Sequence, residues 1–123
     1  MKTFIIIGAI NAFIAVALGA FGAHGLKDRL DPYYLDIWKT GVTYQMFHAT
    51  ALLVIGILLG KVAASTFFTW SGWLFLVGII LFSGSLYVLS LTKVGVLGAI
   101  TPLGGVCFLA GWILMIIGTV KDL

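Results

Sequence analysis

The chain has 123 residues, of which 62% are hydrophobic and only 9% are charged. Soluble domains carry about 25% charged residues, and a domain of this size leaves about a third of its surface exposed, so the composition excludes a water-soluble protein. The net charge of +3 does not indicate nucleic-acid binding. Most of the cations lie singly at the ends of apolar runs, where they anchor helices at lipid headgroups.

Four long uncharged runs organise the sequence. They cover residues 3–23, 40–60, 62–92 and 94–120, and a helix needs roughly 20 apolar residues to span a bilayer. The third run is too short for two crossings and has no polar turn, so we expect it to cross once. The sequence therefore predicts an all-α, four-transmembrane-helix bundle in a single domain of residues 1–123, with helices at about 3–24, 40–60, 67–91 and 97–119.

Small residues recur along one face of the first predicted helix. They follow spacings of four and three, a heptad pattern that lets helices approach closely in membranes: Gly8, Ala12, Ala15, Gly19 and Gly22. Gly25 then suits a glycine C-cap. A cleaved signal peptide is the alternative, with Ala20–Phe21–Gly22 as a passable cleavage site. The apolar run is longer than a signal core, however, and Asn11 interrupts it.

A charged stretch separates the first and second helices. Asp31 and Pro32 are typical of a helix start, as the N-cap and first-turn residues. Tyr33 and Trp38 suit the depth of lipid headgroups. The pattern predicts an amphipathic interfacial segment over about 31–39 that continues into the second helix.

The third and fourth helices carry small or hydroxyl residues at intervals of seven. They are Ser71, Gly78, Ser85 and Thr92 in the third helix, and Gly104, Gly111 and Gly118 in the fourth. Pro102 begins or kinks the fourth helix. These stripes favour tight left-handed packing with short connections. Small-residue seams left over on the lipid-facing surface would favour a homo-oligomer, whereas seams used internally would favour a monomer.

Polar side chains inside the predicted spans are the candidate functional residues, because each is costly in hydrocarbon unless it has a partner. The set comprises Asn11, His24, Tyr44, Gln45, His48, Ser83, Ser85, Tyr87 and Thr101. No Asp, Glu, Lys or Arg lies inside these spans, which disfavours ion-coupled transport. The chain has no Glu and every Asp lies outside the spans, so we expect no enzymatic activity.

Three interpretations of these polar groups remain open. In the first, they hydrogen-bond with one another and lock the helices, with His24 as a clasp between the first and second. In the second, they form a small site for a lipid headgroup or another polar ligand. In the third, His24 and His48 hold a metal or haem. No nearby carboxylate or metal-spacing motif supports the third, so we expect no metal and no cofactor.

Four motifs carry a resemblance to a known family. They are GAFGAHGL (19–26), YQMFHATALL (44–53), FSGSLYVLS (82–90) and ITPLGG followed by GW (100–105 and 111–112). Together they resemble, in order and over nearly the whole chain, the uncharacterised small membrane protein family that includes bacterial YwdK and YgdD. The resemblance implies four transmembrane helices, a location in the bacterial plasma membrane and no established activity. Its motif residues are Gly19, Gly22, His24, Gly25, Tyr44, Gln45, His48, Gly84, Ser85, Tyr87, Thr101, Pro102, Gly104 and Gly105.

The polar groups are predicted to lie toward one side of the membrane. On that side the odd helices end and the even helices begin, which places there His24, Tyr44, Gln45, His48, Ser85, Tyr87 and Thr101. The lysines are spread evenly over both sides, so the orientation is left open. We expect a non-enzymatic protein of the lipid bilayer with a structural or membrane-homeostasis role, with a homo-oligomer left open and no nucleic-acid partner. The alternative is a lipid- or small-molecule-binding or transport module that uses this polar cluster.

Overall fold

Four helical spans account for nearly all of the computed structural model, which describes residues 2–123. They are span 1 (Lys2–His24), span 2 (Pro32–Lys61), span 3 (Thr66–Thr92) and span 4 (Gly95–Asp122). No residue in this described part forms a strand. Each span is long and apolar enough to cross a membrane, so the predicted all-α fold with four transmembrane helices is confirmed.

Spans 2 and 3 form the centre of the molecule. Span 1 packs along span 2, span 4 packs along span 3, and the central spans contact each other. In the most apolar stretch of each span, 44% and 39% of the residues are buried in spans 2 and 3, against 22% in span 1 and 22% in span 4. The apolar outer faces of spans 1 and 4 therefore face lipid.

Span 2 begins earlier than the sequence indicated. The segment predicted at 31–39 forms the first turns of this span, continuous with the second helix as expected, because one helix runs from Pro32 to Lys61 over 30 residues. Pro32 occupies the first turn, but the side chain of Asp31 makes no capping hydrogen bond. A helix of this length extends about 45 Å and exceeds the hydrocarbon thickness of about 30 Å, so its first turns stand among the headgroups.

The end of span 1 differs from the expected glycine cap. The amides of Gly25 and Leu26 both donate to the carbonyl of Phe21, at 2.6 and 3.1 Å, but no described glycine has a positive φ. Gly25 thus follows the last helical residue, as predicted, but without the left-handed conformation that usually accompanies a glycine cap. A Cβ at Gly25 would lie 2.8 Å from the ring of the exposed Phe21, so a larger residue there would displace that ring. Among the described residues only Lys93 has a positive φ, 60°, and it closes span 3.

Span 3 is not one regular helix. It consists of an α-helix over Thr66–Gly78, a π-helical turn over Ile79–Ser83 and a second α-helix over Gly84–Thr92. The Gly84 amide donates to the carbonyl of Ile79, five residues earlier. Such a turn adds a residue and changes which side chains face each neighbour. Span 4 is also composite, with a 3₁₀ turn over Gly95–Ala99 before the α-helix Thr101–Asp122.

Small residues let the paired spans approach closely. A Cβ at Gly8 would lie 2.9 Å from the carbonyl oxygen of Ala49, and one at Gly104 would clash with the backbone of Phe82. Of the residues predicted to pack helices, seven are buried and Ala12 and Gly19 are partly buried; the seven are Gly8, Ala15, Gly22, Gly78, Gly104, Gly111 and Gly118. The contacts of these predicted glycines lie within the pairs of spans 1 and 2 and of spans 3 and 4, whereas Gly41 and Gly72 join span 3 to spans 2 and 1. These glycines are thus used inside the molecule.

Candidate functional site: a polar relay and a lateral furrow

A chain of side-chain hydrogen bonds crosses three spans near the middle of the bundle. The Tyr87 hydroxyl of span 3 donates to Gln45 Oε1 at 2.7 Å. Gln45 Nε2 of span 2 donates to Asn11 Oδ1 at 3.1 Å. Asn11 Nδ2 of span 1 donates to the Ile7 carbonyl at 2.9 Å. This polar relay, formed by Asn11, Gln45 and Tyr87, satisfies its members internally and sets the register of three helices.

Further hydrogen bonds brace the relay on both sides. The Trp38 indole of span 2 donates to the Leu18 carbonyl of span 1 at 2.9 Å. The Ser83 hydroxyl, in the π-helical turn, donates to the Gly41 carbonyl at 2.7 Å. Within the described residues, no buried side-chain nitrogen or oxygen lacks a partner. The interior between spans 1, 2 and 3 is therefore closed and fully paired.

His48 is held on the other side of span 2. Its Nε2 accepts from the indole of Trp112 at 3.1 Å, and its Nδ1 lies 2.9 Å from the carbonyl of Tyr44. An indole can only donate, and a carbonyl can only accept. The hydrogen bonds therefore assign the proton to Nδ1 and fix a neutral imidazole. The ring also stacks on Phe108, with centroids 3.6 Å apart and planes 10° from parallel.

A lateral furrow opens between spans 2 and 4, with span 3 as its floor. Its main hollow has a volume of about 460 Å³ and is lined by Tyr44, Phe47, His48, Phe82, Pro102, Gly105, Val106, Phe108, Leu109 and Trp112. A second hollow continues it along both helices as far as Val54 of span 2 and Met115 of span 4. From Pro102 to Met115 the furrow extends about 20 Å along span 4.

Two consecutive glycines contrast within the wall of the furrow. Gly104 packs against the backbone of Phe82, whereas a Cβ at Gly105 would meet nothing within 4 Å. Gly105 therefore contributes empty space to the furrow rather than a helix contact. The walls are otherwise aromatic and aliphatic, so the furrow suits hydrocarbon and not a hydrated ion.

The structure divides the predicted polar cluster into separate parts. Gln45 and Tyr87 belong to the relay, and Tyr44 and His48 line the furrow. Ser85 and Thr101 form a third part, a hydroxyl pair at 2.6 Å that joins spans 3 and 4. These residues therefore do not form one shared site.

His24 does not act as the expected clasp. Its side chain is exposed at the end of span 1 and makes no hydrogen bond within residues 2–123. The spans are joined instead by Trp38 and by the Gln45–Asn11 pair. The alternative of a metal or haem between His24 and His48 also lacks geometric support, because both ring nitrogens of His48 are already paired.

Trp112 is the functional residue that sequence reasoning missed. It lies 64 positions after His48, yet its indole supplies the partner of the imidazole. The available signal was the position of Trp112 inside an apolar span, since a buried indole N–H requires an acceptor. Asn11, a lone amide in the middle of the first apolar run, was among the predicted candidates but was not assigned to the one-sided cluster.

The comparisons with known proteins place the chain in a family. Residues 18–105 match the model of a protein family of unknown function, DUF423. The UPF0382 membrane protein YwdK of Bacillus subtilis is 54% identical over 123 residues, which cover 100% of both chains. A UPF0382 membrane protein of Staphylococcus epidermidis is 54% identical over 121 residues, or 98% of each chain. No solved structure matches. The chain therefore belongs to the DUF423 (UPF0382) family, whose function is unknown, and it is a multi-pass protein of the bacterial plasma membrane.

Proposed function

We propose that this protein is a non-catalytic membrane protein that binds a lipid hydrocarbon chain in the lateral furrow, in a structural or membrane-homeostasis role. The observation that carries the proposal is the furrow itself, which is open to the bilayer along about 20 Å. Gly105 leaves its wall unfilled. The paired relay keeps the helices in register, so that the furrow keeps its shape.

Binding is favoured over transport and over catalysis. Between spans 1, 2 and 3 the buried polar groups are paired with one another, which leaves no hydrated path for a polar substrate. The furrow itself holds no carboxylate or lysine that could act as a proton or ion carrier. Because the glycine seams are used inside the bundle, we also propose a monomer rather than a homo-oligomer.

Native mass spectrometry in mild detergent tests the proposed function. We expect the extracted protein to retain lipid mass as a monomer. Gly105→Leu fills open space in the furrow and should abolish retention without unfolding the protein. Gly98→Leu is the matched control, because Gly98 also has nothing within 4 Å but does not line the furrow, and it should retain lipid. Equal retention by both variants, or a bare wild-type mass, would contradict the proposal.

A further inference from the structure

The Tyr44 hydroxyl is the polar group of the furrow that the fold leaves unused. The side chain is 43% exposed, and its ring packs on Phe82 with centroids 4.5 Å apart. Within residues 2–123 the hydroxyl has no hydrogen-bond partner, whereas the Tyr87 hydroxyl donates to Gln45 at 2.7 Å. A hydroxyl that borders hydrocarbon is costly without an acceptor. An ester carbonyl of a lipid at this depth would satisfy the hydroxyl.

The depth of Tyr44 identifies which lipid atoms lie beside it. A membrane span has about 20 residues, so the hydrocarbon part of span 2, which ends at Lys61, begins near Gly41. Lys39 therefore stands at headgroup level, and Tyr44 lies about 8 Å further along the helix axis. This is the boundary between headgroups and hydrocarbon, where phospholipids carry the ester carbonyls that join their chains to glycerol.

Charged side chains of span 2 stand at headgroup level, one to two turns before Tyr44. Thr43 lines a hollow next to Tyr44, and its hydroxyl donates to the carbonyl of Lys39 at 3.0 Å. Residues four apart share a helix face, so the exposed Lys39 stands one turn above Thr43, at headgroup level and about 140° around the helix from Tyr44. Asp36 is exposed nearby, and a headgroup that pairs a phosphate with an ammonium group suits both charges.

We propose that the furrow holds one acyl chain of a diacyl phospholipid, whose ester carbonyl accepts a hydrogen bond from Tyr44 and whose phosphate lies at the level of Lys39. The inference rests on the proposed lipid-binding function and adds the linkage, the lipid class and the leaflet. The lipid comes from the leaflet on the side of the loop between spans 1 and 2. Its chain follows the furrow past Gly105 toward Trp112.

Two phosphatidylethanolamines that differ only in linkage test the inference. One has ester-linked chains and the other has ether-linked chains of equal length, without carbonyls. In native mass-spectrometric titrations, we expect the wild-type protein to bind the diester lipid about fivefold more tightly, the effect of one neutral hydrogen bond. Tyr44→Phe should bind both lipids equally. Tyr33→Phe, which removes an exposed hydroxyl outside the furrow, should keep the preference.

The outcomes separate this inference from the proposed function. A wild-type protein that binds both lipids equally, with binding abolished by Gly105→Leu, would overturn the role of Tyr44 and leave lipid binding intact. Failure to bind either lipid would overturn both proposals. Lys39→Gln should weaken the binding of both lipids by the same factor and keep the preference for the ester. Unchanged affinities would overturn the position assigned to the phosphate. Displacement of both lipids by an equimolar isoprenoid quinone would overturn the phospholipid assignment.

Discussion

Tyr44 and Gln45 are consecutive residues of span 2 with opposite environments. Gln45 is 4% exposed and lies in a relay in which every member is paired, whereas Tyr44 is 43% exposed at the edge of an open furrow. Consecutive helical positions are about 100° apart, so they face different neighbours. One helix therefore presents a closed structural face to spans 1 and 3 and an open face to lipid.

The size of the facing residues explains this difference. On the closed face, Gly22 lies against the Trp38 indole and Gly41 against the Tyr87 ring, so the neighbouring spans approach closely. On the open face, the rings of Phe47 and Trp112 stand between spans 2 and 4, with centroids 5.8 Å apart. These two large rings keep spans 2 and 4 apart, and the furrow is the space that remains between the helices. On the closed face, each glycine leaves room that a large side chain of the neighbouring helix fills, so no hollow remains there.

The largest expected effect comes from the two consecutive glycines of span 4. A valine at Gly104 would clash with the Phe82 backbone, which cannot give way as a flexible side chain does. We expect Gly104→Val to destabilise the protein by about 3 kcal/mol, at the upper end for overpacking. Gly105→Val should stay within about 0.5 kcal/mol of the wild type. Thermal unfolding in one detergent measures both, and equal losses would contradict the assigned contacts.

The next effect comes from the centre of the relay. Gln45→Leu leaves the Tyr87 hydroxyl and the Asn11 carbonyl oxygen without their partner, so we expect a loss of about 1–3 kcal/mol in unfolding free energy. Thr119→Val is the control, since its exposed hydroxyl bonds only to its own helix, at Met115. If both variants unfold at the same temperature, the relay does not stabilise the closed face.

A smaller effect is expected at the His48–Trp112 pair. His48→Phe and Trp112→Phe each remove the same hydrogen bond, and His48→Phe can keep the ring stacking on Phe108. Each should therefore cost about 1 kcal/mol, and the double variant should cost less than the sum, because residues in contact are coupled. Thermal unfolding of the wild type, the two single variants and the double variant gives the coupling free energy between the two side chains. Strict additivity would show that the imidazole and the indole act independently.

The smallest effect is expected at His24. Its side chain is exposed, so His24→Ala should change the unfolding free energy by less than about 0.5 kcal/mol. The same thermal unfolding assay measures it beside Gln45→Leu. A loss as large as that of Gln45→Leu would restore the clasp that the sequence suggested.

The fold was predictable because it depends on the lengths of apolar runs. Four uncharged runs indicated four spans, and the stripes of glycine and serine predicted where spans 3 and 4 approach: Ser71 donates to the Gly111 carbonyl at 2.7 Å. The π-helical turn was not predictable, because one extra residue within an apolar run leaves no mark in composition or spacing.

The division of the polar residues was less predictable. Helical spacing placed Tyr44, Gln45 and His48 together, but it gave no information on which neighbour covers each side. That depends on the register of spans 3 and 4 against span 2, which the π-helical turn and Gly104 help to set. The pairing of His48 with Trp112 follows from this register. His24 was misjudged because its position at the end of an apolar run does not reveal whether another helix reaches it.

The matched pair Tyr87→Phe and Tyr44→Phe tests the contrast between the two faces most directly. Each variant removes a single hydroxyl from the central helices, and thermal unfolding in lipid-free detergent compares them with the wild type. We predict that Tyr87→Phe loses about 1 kcal/mol, because its partner Gln45 is buried, and that Tyr44→Phe does not change stability. Equal losses, or a loss confined to Tyr44→Phe, would contradict the assignment of a closed structural face and an open lipid-binding face.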